Sequence, residues 1–109
     1  MRYRRWQTTT TLLAGLCAGS FPFAPASADE RYEYGEYLAG DCTACHQLEG
    51  QAPGIPPITG WPVESFVMVM MAYKEGERDH AQMQNVARRL SDEDMQALAV
   101  YFGKQGKQE

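Results

Sequence analysis

The sequence predicts an all-α protein with three main helices and one loop rich in Pro and Gly. Three observations carry that expectation. Apolar residues recur at helical spacing in three separate stretches. No stretch alternates apolar and polar residues as a half-buried strand does. Pro and Gly concentrate in a single segment, residues 50–62.

The first 28 residues read apart from that domain. Arg2, Arg4 and Arg5 form a basic start, Leu12, Leu13, Ala14, Leu16 and Cys17 an apolar centre, and Ala26-Ser27-Ala28 a small-residue site for a signal peptidase. Residues 1–28 are therefore expected to be a secretory signal, cleaved after Ala28. The apolar run is shorter than the roughly 20 residues a membrane span needs, so no anchor is expected in the mature form. Cys17 follows Leu16 rather than a small residue, which is not a lipoprotein pattern, and it leaves with the signal.

Residues 29–109 form one domain of 81 residues. They hold all 14 acidic side chains and seven of the ten basic ones, a net charge of −7. That balance disfavours nucleic acid and anionic membrane surfaces as partners. A chain of this size buries a modest core and often needs a staple.

The first helix is expected over residues 30–45, with Tyr34, Tyr37, Leu38, Cys42 and Cys45 as its apolar stripe. Residues 47–62 follow as a loop that carries Ile55, Ile58 and Trp61, so it should wrap against something. The second helix is expected from Val63 to about Glu75, opened by Pro62 and apolar nearly all round. Residues 77–89 read as polar, irregular chain that contains His80 and Met83. Ser91 then caps the last helix, with Asp92, Glu93 and Asp94 in its first turn. Leu90 and Met95 form a hydrophobic staple, and Met95, Leu98, Ala99 and Phe102 a stripe that Gly103 should end.

The chemistry concentrates in Cys42-Thr43-Ala44-Cys45-His46. Cys-x-x-Cys-His is the attachment signature of c-type haem. Residues at i and i+3 share a helix face, so two thiols can reach one porphyrin edge as thioethers. His46 then projects beneath the ring as an iron ligand. A structural zinc site would need a fourth ligand, such as His80, beside these three. A thioredoxin-like pair would want a βαβ context, and a disulfide could form after export. One covalently bound haem accounts for motif, export signal and flanking helix together.

The second axial ligand must come from chain on the opposite haem face. Met68, Met70 and Met71 sit in an apolar helix, where methionine usually packs. Met95 is a staple partner. Met83 stands between Gln82 and Gln84 in a polar stretch, and iron ligation would explain it. His80 is the rival, and would give bis-histidine ligation.

These residues resemble class I cytochrome c over the whole of residues 29–109. The resemblance rests on Cys42–His46, on Pro56-Pro57-Ile58-Thr59-Gly60, and on Met83 ahead of Leu90-Ser91-Asp92-Glu93-Asp94 and Ala99-Val100-Tyr101-Phe102. It implies the class I cytochrome c fold, with the helices and loop wrapped around one haem. It implies that Pro56 packs on the histidine side, that Met83 is the axial methionine, and that Gly35 meets Tyr101 where the first and last helices touch.

The stretch from Gly54-Ile55-Pro56-Pro57 through Gly60-Trp61-Pro62 to Tyr73-Lys74 is similar to the cytochrome subunit of flavocytochrome c sulfide dehydrogenase and to c4-type cytochromes. The implied role is a periplasmic carrier of single electrons through His/Met-ligated haem, without catalysis of its own. The second reading is a haem subunit in sulfide oxidation that takes electrons from a flavoprotein partner. Either way the implied partner is a redox protein.

Overall fold

The computed structural model describes residue 15, residues 18–50 and residues 52–106. The basic start of the leader and its apolar centre, Cys17 included, lie outside the described residues. The architecture is all-α. The described residues form helices α1 (Ala28–Thr43), α2 (Val63–Lys74), α3 (Ala81–Arg88) and α4 (Asp92–Lys104). None of them is long and apolar enough to cross a membrane.

α1 begins where the leader was expected to end. Ser27 is its N-cap, and a capping box joins the Ser27 hydroxyl to the Glu30 amide and the Glu30 carboxylate to the Ser27 amide. The buried side of α1 differs from the expected stripe. Gly35 and Ala39 are buried, Tyr32, Leu38 and Cys42 pack beside them, and Tyr37 is 80% exposed. Tyr34 also lies outside the core, where its hydroxyl donates to Asp94 Oδ1 at 2.7 Å. The reason is the closeness of α4. A Cβ on Gly35 would overlap the Ala97 carbonyl oxygen and stand 2.9 Å from Tyr101 Cβ. Small residues mark the buried face here, and Tyr34 and Tyr37 are turned away from it. The implied Gly35–Tyr101 contact is present, and the Tyr32 and Tyr101 rings pack 5.4 Å apart.

α4 is the centre of the molecule. Met95, Leu98, Ala99 and Phe102 are all fully buried, as their spacing predicts. Burying each of the larger ones contributes about 1.5–3 kcal/mol. Ser91 and Asp94 form the capping box at its start. The helix runs one residue beyond the expected stop. Gly103 lies inside it, and a Cβ there would sit 3.0 Å from the Trp61 carbonyl oxygen. Gly103 is thus a point of close approach, and the left-handed residue after the helix is Gly106, at φ 77°.

α2 spans its expected residues but is not buried all round. Phe66 and Met70 enter the core, and Phe66 stacks on Phe102 at 5.9 Å between ring centres. Met68 is 69% exposed. The segment expected to be irregular contains α3, a fourth, short helix that packs on α2. Its inward residues, Met83, Val86 and Ala87, with Leu90 beyond its end, all join the core cluster. The loop before α2 does wrap: the Gly60 amide donates to the Phe102 carbonyl at 2.9 Å, and Ile58 and Trp61 pack on the core.

Candidate functional site

The end of α1 keeps a helical course past its last residue. The amides of Cys45 and His46 both donate to the Cys42 carbonyl, at 3.1 and 2.8 Å. Residues 42–46 therefore form one continuous turn. Cys42 is half-buried and Cys45 exposed, and neither is in a disulfide. Burial, reinforced by the charge of Asp41, pushes the Cys42 thiol up to about 11. In this state Cys42 is a neutral thiol at physiological pH.

His46 is held by a residue ten positions on. Its Nδ1 lies 2.9 Å from the Pro56 carbonyl oxygen. A carbonyl can only accept, so Nδ1 carries the proton and Nε2 the lone pair. The loop delivers this carbonyl by a tight turn. Gly54 adopts φ 76°, and the Ile55 amide donates to the Ala52 carbonyl at 3.1 Å. Pro56 thus meets His46, and it does so through its backbone oxygen.

Met83 does not lie in irregular chain. It is the third residue of α3, half-buried, with its side chain against the core cluster. The correction has a physical cause. Met83, Val86, Ala87 and Leu90 follow a helical spacing that Gln82, Gln84 and Asn85 obscure. His80 is the N-cap of this helix, and its Nδ1 accepts the Met83 amide at 3.3 Å. Among the described residues no three His, Cys, Asp or Glu side chains gather as a metal site, so Cys42, Cys45, His46 and His80 do not form a tetrahedral set.

The donor set suits a c-type haem. It comprises two unpaired thiols in one turn and an imidazole with Nε2 as its acceptor, while the Met83 thioether stands on a separate element, α3. Ile58, Trp61, Val67 and Met71 are partly buried and pack on the core cluster, apolar side chains of a kind suited to a flat macrocycle. Two further contacts were hidden from sequence reasoning. The Lys74 ammonium donates to the Leu90 carbonyl, tying the end of α2 to the turn before α4. Gln105 Nε2 donates to the Tyr32 hydroxyl at 3.0 Å, tying the end of α4 to α1. Both join residues far apart in the chain, so no local spacing signals them.

An all-helical domain of this size, with its Cys-x-x-Cys-His turn at the end of the first helix, falls in the class of c-type cytochromes. Known proteins narrow that class. No protein-family model matches the chain. It is similar to cytochrome c-554(548) of Halomonas halodenitrificans, with 38% identity over 76 residues that cover 65% of this chain and 92% of the relative. It is 33% identical over 73 residues to cytochrome c4 of Pseudomonas aeruginosa, a match over 65% of this chain and 36% of that longer protein. It is 31% identical over 74 residues to the cytochrome subunit of sulfide dehydrogenase of Chlorobaculum tepidum, 67% of each chain. The chain belongs to the class I cytochromes c, electron-transfer proteins whose cofactor is covalently bound haem c.

Proposed function

We propose that this protein is an exported carrier of single electrons, with one haem c joined to Cys42 and Cys45 and its iron held between His46 and Met83. The observation that carries this reading is the 2.9 Å contact from His46 Nδ1 to the Pro56 carbonyl. It commits one ring nitrogen to the protein and leaves Nε2, the atom a metal needs, with its lone pair. The haem, when bound, supplies a one-electron iron couple. The chain's own residues do the rest. Cys42 and Cys45 fix the macrocycle by its edge. Pro56 holds the imidazole in one tautomer and orientation. Met83 offers a soft thioether, which favours ferrous iron and a raised potential. With His46 and Met83 both committed to the iron, no site would be left for substrate, and the protein would move electrons without catalysing a reaction of its own.

Export follows from the leader. Cleavage after Ala28 would release residues 29–109, without the Ser27 cap of α1, to the periplasm, where thioether formation takes place. The −7 charge of the released chain suits docking on a basic patch of a redox protein. Mass spectrometry of the purified protein should show one added haem that resists acid–acetone extraction. The double variant Cys42→Ser, Cys45→Ser should lose it. A haem that extracts freely from the natural chain would contradict the assignment.

A second reading, a haem subunit that accepts electrons from a flavoprotein in sulfide oxidation, is favoured by the match across 67% of the Chlorobaculum tepidum subunit. Co-purification with a stoichiometric flavoprotein at moderate salt is its expected signature. A monomer without flavin contradicts it.

A further inference from the structure

The chain between α2 and Met83 is tied down more closely than its polarity suggests. The amides of Glu77 and Arg78 both donate to the Ala72 carbonyl, at 2.8 and 3.1 Å. The Arg78 guanidinium lies 5.0 Å from the centre of the Tyr73 ring, and the Arg78 carbonyl accepts from Gln84 Nε2 at 2.8 Å. His80 stands inside this closed segment in an extended conformation, φ −164° and ψ 105°. Its imidazole is exposed and turns back on its own chain, where Nδ1 accepts the Met83 amide.

We propose that His80 is a positioning residue for the axial methionine: as N-cap of α3 it holds the Met83 peptide, and so directs the thioether toward the iron. The proposal rests on Met83 being the iron ligand. Its physical basis is the shortness of α3. Eight residues do not sustain a helix alone, because one turn is costly to nucleate. The first amides of any helix lack partners within it. Here the amide that receives a side-chain partner belongs to Met83 itself. Loss of the cap therefore acts on the ligand's own peptide and not on a remote part of the fold. Nδ1 is engaged with this amide, which gives the imidazole a role other than iron ligation.

The test uses the oxidised holoprotein and added imidazole, which can enter only when the methionine leaves. In His80→Ala the imidazole on-rate should rise about fivefold, the shift that loss of a typical cap produces in an opening equilibrium. The far-red methionine–iron band should persist at rest. In His80→Asn, whose side-chain oxygen can cap, the rate should return close to that of the natural protein. In the natural protein the Met83 amide should exchange with solvent more slowly than those of Ala81 and Gln82, a measurement that needs no variant.

Met83→Ala separates the two layers. If the far-red band survives that change, the axial assignment fails and the cap is not at issue. If the band vanishes, an unchanged imidazole rate in His80→Ala overturns the positioning role. Equal acceleration in His80→Ala and His80→Asn also overturns it. Loss of the low-spin spectrum in His80→Asn would show that the imidazole is itself a ligand, and overturns it as well.

Discussion

The two halves of the candidate site are held by different means. On the histidine side, Cys42, Cys45 and His46 lie in one turn, and His46 is hydrogen-bonded to the Pro56 carbonyl ten residues away. On the methionine side, Met83 rides on an eight-residue helix held by His80, by the Gln84 bond to Arg78 and by the Lys74 bond to Leu90. The first half is covalently close and locally determined. The second depends on contacts spread over residues 72–90. Local stability should differ accordingly, and the methionine side should open first.

Three changes probe that contrast, in falling order of effect. Gly35→Ala removes the frame both halves share. The added Cβ would press on the Ala97 carbonyl and on Tyr101, forcing α1 from α4 at a cost of roughly 3 kcal/mol. Denaturant unfolding should show a lower midpoint, and both halves should lose protection together. Loss confined to one half would mean that α1 and α4 do not support them jointly.

Lys74→Met should act on one half alone. It removes a charged donor from the Leu90 carbonyl and should cost about 1.5–3 kcal/mol. Amide exchange should quicken over residues 78–90 and stay unchanged at Cys45 and His46. Equal quickening at both would break the contrast.

Tyr34→Phe should have the smallest effect, and one that depends on pH. Hydrogen bonds from the Ser91 backbone and then from the Tyr34 hydroxyl hold the Asp94 carboxyl below its ordinary 3.8. A depressed carboxylate contributes stability above its unfolded pKa and loses it as pH falls through the folded value. The stabilities of the natural protein and Tyr34→Phe should therefore differ at neutral pH and converge below about pH 4. Parallel curves down to pH 2 would remove the Tyr34 bond from the account.

The same contrast explains what the sequence made legible. The motif at Cys42–His46 and the capped helix from Ser91 carry strong local signals, so their positions were readable. α3 was not, because its inward stripe is interrupted by amides and its cap is a histidine, outside the usual capping residues. The buried side of α1 is hidden in the sequence for another reason. Where two helices approach most closely, the contact is made by glycine and alanine, and Gly35 and Ala39 carry little hydrophobic weight. Gly103 repeats the lesson: it resembled a helix stop, and it is the place where the Trp61 carbonyl passes.

The central proposal is that His46 and Met83 are the two side chains that would hold the iron. The optical spectrum of oxidised Met83→Ala tests it most directly. The account predicts that the natural protein shows the weak far-red band of a methionine–iron bond, that Met83→Ala lacks it, and that haem stays attached through Cys42 and Cys45. A band that survives in Met83→Ala would contradict it.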